Sequence, residues 1–185
     1  MGSTQYYVAA TLDGYIAEVD GGLQWLYDAA GDPNVDEDIG ALEFFKQVTA
    51  VAVGASTYEI VVSHTDRPWD YPGRPMFVFT HREDLPVPEG ADVRFVQGPP
   101  RDHIDAMKQA AGDGNLWVLG GGELASQFAD DGLLDELIVA YVPVVLGTGI
   151  PLFARRIPGT LTLTKSERLP DSMVSNTYSL NTPSR

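Results

Sequence analysis

Three short stretches place glycine, hydroxyl or guanidinium groups just past an apolar run. "NLWVLGGGELASQF" (115–128) is an uncharged run ending in three glycines, after which an amphipathic pattern begins. Glycine lacks a Cβ, so such a turn reaches positive φ and lets a ligand touch the backbone. A helix starting near Gly122 or Glu123 would aim unpaired N–H groups and a positive dipole end at that space, which suits phosphate. "VAVGASTYE" (51–59) repeats the arrangement, with Gly54 and then Ser56 and Thr57 at a helix start. "FVFTHRE" (77–83) ends in Thr80, His81 and Arg82. For the glycine triplet alone, a tight turn with close strand–helix packing competes with the phosphate reading. Neither G-x-G-x-x-G nor a Gly-Lys-Ser/Thr phosphate loop is present. Three strand ends of this kind together point to a dinucleotide laid across one edge of a sheet.

Other ionisable residues say less. Asp13 follows the first apolar run and is either a proton donor at the mouth of a sheet or a turn residue of its Asp-Gly pair. Trp25 either walls a substrate pocket or pins its loop to the core. His64, His81 and His103 have no i, i+4 partner, so no metal site is expected. Nine acids and no Lys or Arg precede Lys46, whereas Arg67, Arg74, Arg82, Arg94 and Arg101 crowd the next third. An anionic ligand would be sought there.

The elements that must position these groups follow from pattern. Runs at 4–12, 48–54, 75–80, 91–97 and 115–120 read as strands, and 134–147 as a long strand or strand pair. Helical spacing recurs from 36, from 55, over 100–111 and over 122–131. The stretch 13–26, with two Asp-Gly pairs, reads as a loop with an apolar interlude, and alternating residues at 159–169 and 172–181 read as a closing hairpin. Strand–helix alternation with an antiparallel end means an α/β sheet covered on both faces. At 185 residues and 44% hydrophobic content, one domain spanning 1–185 is expected. A net charge of −14 argues against nucleic acid and anionic membranes, and the absence of cysteine fits a reducing, cytoplasmic setting. No run is long enough to span a bilayer, and the N-terminus lacks a signal-peptide pattern.

The motifs "VAATLDGYIA" (8–17), "VGASTYE" (53–59), "FVFTHRE" (77–83), "VLGGGELASQF" (118–128) and "VPVVLGTGIPLF" (142–153) together resemble the dihydrofolate reductase-like superfamily. The resemblance is to the branch containing the reductase domain of the riboflavin-biosynthesis deaminase/reductase, and it spans most of the chain. It implies a mostly parallel, twisted central sheet and an NADPH-dependent reductase acting on a planar heterocycle: a pyrimidine precursor of riboflavin type, a pterin or a folate. By position it implies cofactor contacts from Ala9 and Ile16 at the nicotinamide, and from Gly54, Ser56 and Thr57 at phosphate. Thr80, His81 and Arg82 would flank the adenosine ribose, and Leu119, Gly120, Gly121, Gly122, Glu123 and Leu124 would line the diphosphate and nicotinamide. It implies a homodimer, with "VLGTGIPLF" (145–153) near the contact; the same stretch reads as a turn holding the C-terminal hairpin against the site. Two positions depart from the pattern. Ala55 stands where an arginine commonly pairs with the 2′-phosphate, which leaves NADH possible. Ala41 stands where folate-reducing members carry an acid, and neither Asp38 nor Glu43 has the right spacing. A non-catalytic nucleotide- or drug-binding module on the same scaffold is the alternative these departures leave open.

Overall fold

The computed structural model describes residues 2–30, 41–63, 69–82 and 84–181. Among the described residues ten strands run in chain order: β1 (Thr4–Thr11), β2 (Tyr15–Ala17), β3 (Val48–Gly54), β4 (Met76–Phe79), β5 (Val93–Val96), β6 (Asn115–Gly120), β7 (Glu136–Val142), β8 (Ile150–Pro151), β9 (Thr160–Arg168) and β10 (Val174–Asn181). The helices are α1 (Gln24–Ala30), α2 (Ala41–Gln47), α3 (Ala55–Ser63), α4 (Ile104–Ala111) and α5 (Gly122–Asp130). Eight strands form one sheet in the order β5-β4-β3-β6-β1-β7-β10-β9. Every neighbouring pair from β5 to β7 is parallel, and β10 pairs antiparallel with both β7 and β9. The expected α/β sheet with an antiparallel hairpin is therefore what the chain adopts.

Because successive strand residues face opposite sides, the apolar runs supply two cores at once. Ala50, Ala52, Phe77, Leu116 and Val118 face one side, where α4 and α5 contribute Met107, Ala111, Leu124 and Phe128. Val51, Val53, Met76, Val78 and Trp117 face the other, beneath Tyr58 of α3 and Phe44 and Phe45 of α2. Phe128 is fully buried, and truncating it to alanine would cost about 3–5 kcal/mol. The helix α4 stops at Gly112, whose φ of 61° sits in the region glycine favours while its N–H bonds the Lys108 carbonyl.

Some boundaries differ from expectation. The 13–26 stretch contains β2, which pairs antiparallel with β8 some 130 residues on (Tyr15↔Pro151), and the start of α1. A three-residue strand is created by its distant partner and leaves no local pattern. The 134–147 run holds one strand, β7, which starts at Glu136 and ends at Val142, because Pro143 has no N–H and the Val144 N–H turns back onto the Val142 carbonyl at 2.7 Å. The helix expected from 36 is described from Ala41, its earlier part lying outside the described residues. Residues 100–111 begin as a 3-10 turn (Pro100–Asp102) before α4. Among the described residues no helix is long and apolar enough to cross a membrane.

Candidate functional site

Parallel strands deliver their carboxyl ends to one edge, so Gly54, Phe79, Gly120 and Thr11 end four adjacent strands. β3 and β6 lie side by side, with Val53 opposite Gly120, although more than sixty residues separate them. The helices that follow them part company: α3 packs on one face of the sheet and α5 on the other. Adjacent strands whose next helices diverge leave a crevice between them, the usual ligand position in an open α/β sheet.

The glycines at this crevice are open. A Cβ at Gly54 would approach nothing closer than 3.8 Å (the Gly120 carbonyl oxygen), and one at Gly120 or Gly121 would lie 3.8 or 3.6 Å from Thr57 Oγ1. The crevice is thus floored by bare backbone from both strand ends, with the Thr57 hydroxyl beside it. Gly120 has a φ of 140°, which an L side chain rarely adopts. Gly121 is the N-cap of α5 and supplies no side-chain acceptor, so the first-turn amides of that helix are left to other partners. Ser56 is exposed and Thr57 half-buried in the first turn of α3.

Gly122 belongs to packing instead. A Cβ there would meet the Pro151 carbonyl oxygen at 2.3 Å and that of Leu152 at 3.0 Å. The buried Ser126 completes this contact, donating to the Gly122 carbonyl at 2.7 Å and accepting from the Ala154 N–H at 3.0 Å. Glu123 is drawn outward by Arg155, whose guanidinium contacts both carboxylate oxygens at 2.8 Å and also reaches Asp130. That pairing lowers the Glu123 pKa. Leu124 has its side chain in the core, so only its backbone is available to a ligand. Leu119 is half-buried against the α2/α3 side, Ala9 packs beside Trp25, and Ile16 packs against the opposite core.

Trp25 is buried against Val142 and Met173. Asp13 is exposed but fully engaged. Its carboxylate accepts the Thr11 hydroxyl at 2.6 Å, the Gly147 N–H at 2.7 Å and the Leu146 N–H at 3.2 Å. The Thr11 hydroxyl and then those amides hold its pKa below the usual carboxylate range, so it stays ionised at neutral pH and is a poor proton donor. Leu12 N–H to the Val144 carbonyl and Leu152 N–H to the Gly14 carbonyl fasten the same turn. Segment 144–154 therefore clasps the β1–β2 turn and α5, while its Val144 and Leu146 pack in one apolar cluster with Leu169 and Met173 of the C-terminal hairpin.

Among the described residues of the arginine-rich third, every arginine already has partners. Arg74 donates to the Val48 and Phe45 carbonyls, Arg94 forks onto Asp92, and Arg101 pairs with Asp131. Arg82 Nη1 donates to Glu59 Oε1 at 2.6 Å and its Nε to Asp84 Oδ1 at 3.2 Å. The turn carrying it is set by the Arg82 N–H bonding Thr80 Oγ1 at 2.9 Å, with Thr80 N–H on the Val96 carbonyl. His81 is exposed there. His103 is structural, its Nε2 2.6 Å from the Gln97 carbonyl oxygen and its ring edge-on to Phe79. His64 and Arg67 lie outside the described residues. Asp84, Ser126 and Arg155 escaped sequence reasoning; only Ser126, one helical turn after Gly122, left a local signal.

Comparison with known proteins agrees with this fold. The sequence pattern of the family described as RibD C-terminal domain matches residues 4–175. YwjB of Bacillus subtilis (strain 168) is 38% identical over 150 residues, covering 81% of this chain and 82% of that protein. The riboflavin biosynthesis protein RibD of Corynebacterium ammoniagenes is 28% identical over 169 residues, covering 83% of this chain but 46% of RibD. The crystal structure of a Shewanella sp. PV-4 protein, provisionally assigned to riboflavin biosynthesis, superposes with a TM-score of 0.76 at 33% identity. The match covers 97% of this chain and 99% of that one.

Proposed function

The chain belongs to the RibD C-terminal domain family, within the dihydrofolate reductase-like superfamily, and from that premise we propose an NAD(P)H-dependent reductase of a planar heterocycle. The observation that carries the proposal is the crevice between β3 and β6, floored by open glycines and flanked by two diverging helix starts. Those features fit a nicotinamide dinucleotide. The first-turn amides of α3 and α5, with the Ser56 and Thr57 hydroxyls, would hold its diphosphate. Ala9, Ile16 and Leu119 would lie on the nicotinamide side, towards β1, and Thr80, His81 and Arg82 on the adenosine side, beyond β4. Bound there, the coenzyme supplies hydride.

The protein's own part is to position, exclude water and leave a route for a proton. Hydride addition to a C=N or C=O bond needs one proton to balance it. Asp13 is held ionised, and position 41 carries no ionisable group, so the proton comes from solvent. Asp13 instead fixes the turn through the Leu146 and Gly147 amides. The lack of an acid at Ala41 favours a riboflavin-type pyrimidine over folate. The same two observations support the second reading, a binding module without turnover. The assembly is a homodimer in this reading. Leu161 and Leu163 of β9 lie 42% and 53% exposed on one sheet face with Leu180 and Tyr178, an apolar patch that a second copy would cover. The setting is cytoplasmic.

Titration with NADH and NADPH, read by nicotinamide fluorescence, tests the core claim. Binding is expected with the wild type and should weaken about tenfold or more in Gly121→Ala, whose added methyl enters the crevice without touching the core. Failure of both coenzymes to bind the wild type overturns the reductase reading. Binding without oxidation across pterins and aminopyrimidines would select the binding module.

A further inference from the structure

Charge on the β4 side of the crevice decides which coenzyme can lie there. β4 is the neighbour of β3, with Phe79 opposite Gly54, so the 80–82 turn stands one strand spacing from the crevice. Glu59 reaches the same place from α3, one helical turn after Ala55 and close behind Ser56 and Thr57. There Arg82 bridges Glu59 and Asp84, one positive charge against two negative. The three side chains are 49%, 45% and 75% exposed, so a sugar can reach them. No other arginine among the described residues of this third is available, since Arg74, Arg94 and Arg101 are committed elsewhere. Position 55, the first residue of α3, brings no charge either: it is an alanine packed against the core beneath that helix.

A ribose 2′-phosphate brings close to two negative charges to a triad that already has a surplus of one. It would have to compete with two carboxylates for the single guanidinium. An unphosphorylated ribose instead offers two hydroxyl donors, which a carboxylate accepts.

We infer that Glu59 and Asp84, by occupying Arg82, make this a site for the coenzyme without the 2′-phosphate, with Glu59 as acceptor for the adenosine ribose hydroxyls. The inference rests on the proposed seating of a nicotinamide dinucleotide in the crevice, its adenosine half towards β4. Arg82 acts as the strut that holds Glu59, and the selection is set by the surplus of negative charge.

The test is the ratio of NADPH to NADH dissociation constants, by calorimetry or fluorescence, for the wild type, Glu59→Gln, Asp84→Asn and the double variant. The wild type should bind NADH about tenfold more tightly than NADPH. The double variant, with Arg82 released, should move that ratio at least about tenfold towards NADPH, while unchanged circular dichroism shows the fold intact. In 0.5 M salt the wild-type discrimination should shrink, because exposed charges are screened. Tighter binding of NADPH by the wild type, or a ratio unmoved in the double variant, overturns this inference and leaves the reductase reading standing. Failure of both coenzymes to bind overturns the two together.

Discussion

A Cβ added at Gly121 would stand 3.6 Å from Thr57 Oγ1, whereas one added at Gly122 would stand 2.3 Å from the Pro151 carbonyl oxygen. The same division separates Gly54 and Gly120, where a Cβ would come no closer than 3.8 Å to a neighbour, from Gly149, where a Cβ would lie 2.3 Å from the Ala17 carbonyl oxygen. One group keeps backbone bare for something that is not protein. The other lets two stretches of this chain approach more closely than any side chain permits. The two readings of the glycine triplet therefore stop being rivals. The strand side of the turn fits the ligand reading, and the helix side obeys the packing reading.

Substitutions can break or sharpen that division. Gly122→Ala should have the largest effect, about 3 kcal/mol of lost stability in urea unfolding, because backbone on both sides must move. If Gly121→Ala destabilised as much, the division would be wrong. Ser126→Ala should cost about 1 kcal/mol, since the Ala154 N–H loses the Ser126 hydroxyl and keeps only its longer bond to the Gly122 carbonyl at 3.4 Å. Gly121→Ala itself should shift stability by less than about 1 kcal/mol while weakening coenzyme, which sets crevice and clasp apart in one pair of proteins. The smallest effect belongs to Asp13→Asn, read as melting temperature against pH. The Asp13 pKa is lowered in the folded protein, so its contribution is present above the unfolded carboxylate value and is lost as pH falls through the folded one. The wild type and Asp13→Asn should thus differ near neutrality and converge in acid. A gap that persisted in acid would mean that shape, not charge, holds the turn.

Much of the fold was legible because it depends on local pattern. Glycine-punctuated apolar runs marked β3 and β6, helical spacing marked α4 and α5, and Thr/Ser alternation marked the hairpin. The insertion of β6 between β1 and β3 was not legible, because no local residue records which neighbour a strand takes. The same limit explains the site. Gly54, Gly120 and Gly121 announced themselves by composition, but Arg82 is committed to a carboxylate 23 positions earlier in the chain. Asp13 is committed to amides 133 and 134 positions later. An arginine in an arginine-rich segment reads as free charge until its partner is known. The tests of Glu59 and Asp84 address the chemistry that this pairing leaves behind.

The segment from Val144 to Ala154 is bonded to the β1–β2 turn at one end and to the start of α5 at the other. The turn on the β1 side of the crevice and the start of α5 therefore cannot loosen separately. Deuterium uptake at the Leu152 and Ala154 amides should slow together when that side is occupied, which would make this strap a gauge of occupancy for the nicotinamide half of the cleft.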